Sequence, residues 1–330
     1  MSSANNAGRV SFFVQAYNTA GYVGECLESI LQQRGSQAFD ILVIDDASTD
    51  DTAREIARFT DSRLRVIRHA RNHGAIATAN EGYGSVDGEF VVRVDSDDRL
   101  RPDFLQKTVP RLLQHADVGL VYGDIATIDQ HGSVTSSGGV VERHGRPARG
   151  NEFLPLLLEN YIPAPSTMVR RAALAPLLPI PADLRFLDWY VTTGITEQWD
   201  SEFVNEVLAD YRIHSDNMHR AMIRDRGGEA TSLRVLDALF QRPVRQLEKR
   251  RWRRRVYAAC HLTYARKYFG CGMNRDAARC YWKAVATRPA ALFEPGVARH
   301  FAGALMGRRL YDSVKISIGA AKPSADSIAR

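Results

Sequence analysis

Through the first hundred residues, short uncharged apolar runs alternate with stretches whose apolar positions recur every three or four residues. Val10-Ser11-Phe12-Phe13-Val14 reads as a strand buried on both faces. Asn18-Thr19-Ala20-Gly21 supplies turn and cap chemistry, and Val23, Cys26, Leu27, Ile30 and Leu31 then predict a helix over residues 22–33. The unit repeats. Residues 39–44 form a second apolar run, followed by a helical pattern through Ala53, Ile56, Ala57 and Phe59. A short strand is predicted over 65–68, a helix over 76–86 and a fourth strand over 90–94. Successive βα units with apolar strands predict an open, Rossmann-like, mostly parallel α/β sheet.

Ligands on such sheets lie beyond the carboxyl ends of the strands. Here those ends are acidic: Asp45-Asp46 after the second strand and Asp95-Ser96-Asp97-Asp98 after the fourth. Carboxylates gathered on one edge would repel one another by several kcal/mol at low effective dielectric constant. A bound divalent cation relieves this, and oxygen donors favour Mg²⁺ or Mn²⁺ over Zn²⁺. The plainer reading is helix capping, with Asp98 or Asp103 complementing a helix opened by Pro102. Capping accounts for one acid or two, and a second acidic strand end favours the cation.

Composition narrows the class without choosing a function. The 330 residues are 45% apolar and 25% charged, ordinary globular values that exclude a collagen, a disulfide miniprotein and a wholly disordered chain. No stretch approaches the length of an apolar membrane span. Residues 1–9 lack the apolar core of a secretory signal, and Cys26, Cys260, Cys271 and Cys280 show no CxxC spacing. A cytoplasmic protein with reduced thiols is expected. Net charge is more telling. Residues 1–215 hold 20 Lys/Arg against 29 Asp/Glu, whereas residues 216–330 hold 24 against 9.

The basic part reads as helical. Lys249-Arg250-Arg251-Trp252-Arg253-Arg254-Arg255 places six cations in seven residues, enough to cover every face of a helix. A solvated face is the usual meaning of such a run; its length and central Trp point to an anionic partner, either membrane phosphate or nucleic acid. Ala265, Tyr268, Ala277, Tyr281, Ala284 and Pro289 fall at the spacings of one tetratricopeptide-like helical hairpin, which would pack on the rest of the chain or join subunits of a homo-oligomer. Two domains are expected, 1–218 and 219–330, with a frayed tail after Lys322.

Residues 10–18 (Val-Ser-Phe-Phe-Val-Gln-Ala-Tyr-Asn), Cys26-Leu27-Glu28-Ser29-Ile30 and Ile44-Asp45-Asp46-Ala47-Ser48-Thr49-Asp50 resemble the opening of family 2 glycosyltransferases, which have the GT-A fold. Arg71-Asn72-His73-Gly74, Ala79-Asn80, Asp87-Gly88-Glu89, Asp95-Ser96-Asp97-Asp98, Asp188 and residues 211–217 continue that pattern in order, over roughly 9–218. The resemblance implies an inverting transfer from a nucleoside-diphosphate sugar to a hydroxyl acceptor, in surface glycan synthesis. Asp46 would accept the base imide N–H, favouring UDP or dTDP, with Gln15 and Tyr17 against base and ribose. Asp95 and Asp97 form a DxD pair, Asp97 on the metal and Asp95 nearer ribose or metal. Arg71 and Arg212 would face phosphate, and His214 would approach the metal or diphosphate. Asp188 falls at the carboxylate base, although members commonly show Glu-Asp where this chain has Leu187-Asp188. Trp189 would wall a sugar ring or belong to the core. Residues 160–171 resemble the segment shaping the acceptor side. Because many relatives use lipid-linked acceptors at the cytoplasmic leaflet, the resemblance favours membrane as the partner of residues 249–255.

Other classes fit less well. A nicotinamide oxidoreductase needs GxGxxG after the first strand, where this chain has Gln15-Ala16-Tyr17-Asn18. A phosphatase with an aspartyl nucleophile would place DxD after the first strand. A nucleotidyltransferase shares nucleotide, metal and paired acids, and product analysis separates it. A non-catalytic membrane- or nucleic-acid-binding scaffold would tolerate loss of the acids, yet Asp46, Asp95, Asp97 and Asp188 are all present.

Overall fold

The computed structural model describes residues 8–141, 145–214, 226–307 and 311. The expected domain boundary at 218, the end of the 211–217 run and the tail after Lys322 lie outside the described residues. The chain divides into two compact units, Met1–Leu156 with Asn160–Ser215, and Leu157–Glu159 with Asp216–Arg330.

The first unit opens with β1 (Val10–Ala16), α1 (Val23–Leu31), β2 (Phe39–Asp45), α2 (Thr52–Ile56), β3 (Leu64–Arg68), α3 (Ala75–Ser85) and β4 (Phe90–Asp95). These strands pair in parallel in the order β3-β2-β1-β4. Their uncharged runs are buried because helices cover the sheet: Phe12, Val14, Val43, Val92 and Val94 are all fully buried. The second half of the sheet departs from the simple βα repeat. After β5 (Arg99–Leu100) and α4 (Phe104–Gln114) come the long strand β6 (Val118–Ile128), then β7 (Val134–Ser136) and β8 (Arg149–Gly150). The helices α5 (Phe153–Leu158), α6 (Arg171–Leu174) and α7 (Leu187–Thr196) are interleaved with β9 (Thr167–Arg170) and β10 (Asp200–Arg212). β9 inserts antiparallel between β4 and β6, and β10 runs parallel to β6. The result is a mixed, mostly parallel open sheet of the GT-A type.

Register sets the functional edge. Gln15 of β1 lies opposite Ile44 on one side and Asp95 on the other, so three strand ends meet in one row. Close packing holds α3 against that row. A Cβ on Gly82 of α3 would fall 2.3–2.5 Å from carbons of the buried Phe13 ring.

The second unit is helical in its described residues: α8 (Gly227–Gln241), α9 (Gln246–Gly270), α10 (Asn274–Thr287) and α11 (Val297–Met306). Ala265, Tyr268, Ala277, Tyr281 and Ala284 are fully buried where α9 and α10 pack as a hairpin, and Pro289 begins the short turn after it. Charge does not cover every face of α9. Lys249 is buried, and its Nζ donates to the carbonyls of Leu239 (2.6 Å) and Arg242 (3.1 Å), satisfying the C-terminal end of α8. Val256, one heptad on, is buried too. Among the described residues no helix is long and apolar enough to cross a membrane.

Gly82→Ala should lower unfolding free energy by about 1–3 kcal/mol through overpacking against Phe13, despite the helix propensity of Ala. Urea denaturation of the two proteins measures it, and equal midpoints would show that Phe13 moves aside freely.

Candidate active site

The edge is built from strand ends whose acids each have a different partner. Asp45 ends β2, and its Oδ1 accepts the Ser48 N–H at 2.9 Å. Asp46, the next residue, is 2% exposed. Its Oδ1 takes His69 Nδ1 at 2.7 Å and the His73 N–H at 2.8 Å, while Oδ2 takes the Gly74 N–H at 2.9 Å. Those amides lead into α3, whose first residue is Ala75, so the carboxylate pins the entry to that helix. Burial works against the charge of Asp46, yet His69 and the two amides hold its carboxyl below the usual range.

His69 is the centre of this arrangement. Nδ1 meets Asp46, and Nε2 lies 2.9 Å from Glu81 Oε2, so both ring nitrogens face carboxylate oxygens. A neutral ring would present a lone pair to one of them. Burial opposes protonation, but the two hydrogen bonds prevail and raise the His69 pKa. His73 stacks on it at 4.3 Å between ring centres. Asp46, His69 and His73 offer ligand atoms within 4.8 Å of one another, a spacing that could hold a metal ion. In this structure Asp46 and His69 spend those atoms on one another, on Glu81 and on backbone amides.

The turn after β4 holds the other acids. Arg93 donates through Nη1 to Asp95 Oδ1 and through Nη2 to Asp95 Oδ2, the second bond being 3.0 Å. Asp97 Oδ2 lies 3.0 Å from His214 Nε2, and the His214 ring packs on Tyr22 at 5.2 Å. Asp98 is 1% exposed and accepts the Arg212 backbone N–H at 2.9 Å. Burial and the neighbouring Asp95 push the Asp97 carboxyl up, with His214 opposing; burial, Asp97 and Asp95 push Asp98 up further. Asp98 does not cap α4, because it is engaged with β10, whereas Asp103 stands at the N-cap of α4 without a side-chain cap bond.

One sequence expectation is corrected here, for Arg212, and one open alternative is decided, for Trp189. Arg212 does not face phosphate: it is 1% exposed and donates to the Asp97 carbonyl (2.8 Å), the Asp129 carbonyl (3.2 Å) and Glu25 (2.7 Å). Trp189 is core, 5% exposed, with Nε1 donating to Leu156 O at 2.7 Å.

Gln15 Nε2 donates to Ala75 O at 3.0 Å, Tyr17 is 47% exposed, and Arg71 is exposed before α3. Asp188 lies in the first turn of α7 rather than at its cap, and Asn160 Nδ2 reaches its Oδ2 at 3.3 Å. A cavity of about 20 Å³ is lined by Asp188, Arg93, Tyr83, Thr167 and Thr192 among others. Sequence reasoning missed Arg93, His69 and Asn160. Arg93 had a visible signal, a lone charge inside the apolar strand Phe90-Val91-Val92-Arg93-Val94.

The sequence model of glycosyl transferase family 2 matches residues 11–176, a span that includes β1 to β9 and the acidic strand ends. The chain belongs to glycosyl transferase family 2. The succinoglycan biosynthesis protein ExoO of Rhizobium meliloti is 38% identical over 102 residues, 31% of this chain and 29% of that protein. Glycosyltransferase GlyG of Streptococcus pneumoniae is 33% identical over 123 residues, 37% of this chain and 40% of that one. The chain thus spans well under half the length of these curated relatives. Among solved structures, S. aureus TarS 1-349 superposes with a TM-score of 0.65 at 15% identity, covering 94% of this chain and 92% of that one. The mannosyltransferase PcManGT from Pyrobaculum calidifontis, in complex with GDP-Man and Mn²⁺, superposes with a TM-score of 0.58 at 19% identity over 93% and 86% of the two chains. At such identities the likeness is one of fold.

The protonated state of His69 gives the domain a testable pH dependence. A folded-state pKa raised above about 6.5 adds stability in full below that value and loses it as pH rises through the raised pKa. The melting-temperature gap between wild type and His69→Gln should therefore narrow as pH rises above about 6.5. A gap that does not change with pH would show that folding leaves the His69 pKa unshifted.

Proposed function

We propose that this protein is a metal-dependent, inverting glycosyltransferase that moves a sugar from a nucleoside diphosphate to a hydroxyl group of a surface glycan, lipid-linked or protein acceptor. The reading rests on the convergence of Asp46, Gln15, Asp95 and Asp97 at one sheet edge in a family 2 domain. An ionised Asp46 offers an acceptor for the imide N–H of uracil or thymine, which favours UDP or dTDP. Gln15 and Tyr17 would flank base and ribose, and Arg71 would face the diphosphate.

Asp97, with Asp95 and His214 beside it, fits a divalent cation. The donors are oxygen and imidazole, and burial together with the neighbouring Asp95 pushes the Asp97 carboxyl up. When bound, Mn²⁺ or Mg²⁺ would stabilise the charge on the departing nucleoside diphosphate. Asp188 would take the acceptor hydroxyl proton as that oxygen attacks the anomeric carbon, with inversion. Asn160, hydrogen-bonded to Asp188, would hold the carboxylate on the acceptor side. Relatives named for succinoglycan biosynthesis support the surface-glycan setting.

The basic unit would meet an anionic membrane surface. Leu247, Arg250, Arg251, Arg254 and Arg255 recur at i, i+3, i+4, i+7 and i+8 of α9, so they share one exposed face. Leu247 is 83% exposed, and Arg255 lies over the Trp252 ring at 4.7 Å. Apolar groups in line with arginines suit a headgroup layer better than a polynucleotide backbone. Trp282 and Phe293, 65% and 87% exposed, give the same unit a surface through which copies could pair.

A thermal-shift panel of UDP, dTDP, GDP and CDP, with and without Mn²⁺, tests the donor site. One diphosphate at 100 times its dissociation constant adds about 2.7 kcal/mol, a shift of several degrees. Asp97→Ala should abolish the metal-dependent shift. Asp188→Asn should keep the shift and lose transfer; wild-type transfer by this variant would remove Asp188 from the base role. Separately, the protein should sediment with phosphatidylglycerol vesicles at low salt and not with phosphatidylcholine vesicles. Replacing Arg250, Arg251, Arg254 and Arg255 together by Gln should release it; retention by only a polynucleotide would sink the membrane reading.

A further inference from the structure

Arg93 is a buried arginine at an interior position of β4, between the fully buried Val92 and Val94. Its side chain is 12% exposed, whereas that of Asp95 is 39% exposed. Both oxygens of Asp95 are taken by the two ends of its guanidinium, in the fork geometry that gives the strongest carboxylate pairs. The same guanidinium lines the small cavity that Asp188 lines, and the field of both carboxylates acts on it. A fixed positive charge thus stands behind the acids of the strand edge, where Asp95, Asp97 and Asp188 would otherwise present three negative charges.

Asp97 is held differently. Its partner is His214, beyond the end of β10, and no arginine side chain forks onto its carboxylate in the described contacts. We propose that Arg93 is a positioning residue that keeps Asp95 off the inner shell of the divalent cation. The cation would be left to Asp97, and the nucleotide-free edge, with one of its carboxylates offset by Arg93, is too weakly negative to retain it. The cation then stays only when a nucleoside diphosphate adds its own negative charge, and both leave together. This inference rests on the proposed donor site and adds to it the residue that sets its cation affinity and the outer place of Asp95.

The sign of the effect is what separates this role from a structural one. Removing a fixed cation near a divalent-ion site strengthens binding of the ion, because like charges repel strongly at the dielectric of a partly buried edge. Loss of a merely structural arginine would disorder the edge and weaken binding. Free Mn²⁺ can be read directly by electron paramagnetic resonance, without any sugar donor or acceptor. In the absence of nucleotide, Arg93→Met should bind Mn²⁺ at least about tenfold more tightly than wild type, and Arg93→Lys should stay near wild type. UDP should enhance Mn²⁺ binding less in Arg93→Met than in wild type, since the nucleotide's charge is no longer needed. Arg93→Met with Asp97→Ala should lose the gain, which ties the ion to this edge. Unchanged or weaker Mn²⁺ binding by folded Arg93→Met would overturn the proposal. If Arg93→Met proves unfolded, the Lys variant carries the test: a charge-preserving change that alters Mn²⁺ affinity tenfold would overturn it equally. Should Asp97→Ala leave Mn²⁺ binding intact in wild type, the donor-site reading itself fails, a result distinguishable from a failure confined to Arg93.

Discussion

Parallel strands in register deliver their carboxyl ends to one edge, and here the ends of β2 and β4, on either side of β1, carry aspartates. The fold therefore brings like charges together where water is scarce, and the rest of the site is arranged around relieving that repulsion. Arg212 holds the turn that carries Asp97 and Asp98. From a side chain that is 1% exposed it ties the Asp97 carbonyl, the Asp129 carbonyl after β6 and Glu25 of α1, while its backbone N–H donates to Asp98 Oδ1. One residue at the end of β10 thereby fixes the turn after β4, although more than a hundred positions separate them. A buried charge removed from such a set leaves uncompensated partners behind, which is costlier than the pair was stabilising. The spacing of the two acidic strand ends consequently depends on the end of the last strand of the sheet, not on the βα units alone.

The parallel half of the sheet was legible because its strands are short, rich in apolar residues and bounded by turn residues, so β1 to β4 follow from apolar patterning within one or two residues. The antiparallel insertion was not. β9 is four residues long and sits between β4 and β6 by tertiary pairing that no local pattern announces. At the edge, the acids could be read from their places after strands, because strand ends fix where such residues emerge. Their partners could not be read in the same way. His69 lies 23 positions from Asp46, and Arg212 lies 115 from Asp97, so each contact is a property of topology. Arg212 illustrates the limit: an arginine beside a histidine near a phosphate site suggests phosphate binding, and only the packing of β10 against β6 turns it inward.

The basic run in α9 is a second case in which the sequence shows charge but not its direction. Lys249 and the five arginines look equivalent in a row. The geometry of two antiparallel helices divides them, sending Lys249 to the carbonyl end of α8 and leaving a stripe of arginines outside. Lysine suits the inner position because its flexible stem delivers a compact ammonium to two carbonyls, whereas a guanidinium fork matches carboxylate or phosphate. The inward residue is the run's lysine, and arginines stand where an anionic surface could reach.

The three acids nearest the proposed donor site are neutralised by devices of different permanence. Asp46 is held by backbone amides and by a histidine braced on Glu81, none of which can leave without unseating the entry to α3. Asp95 is forked by an arginine anchored in the core of β4. Asp97 is met by His214, past the end of its strand, with 21% of its own side chain exposed. Only this third arrangement can exchange its partner without disturbing a strand or a helix start. A site that must admit and release a cation in every cycle needs one acid with a replaceable partner and others whose partners are fixed. In the proposed metal-dependent reading, the distribution of rigid and replaceable partners along this edge would give the exchange to Asp97.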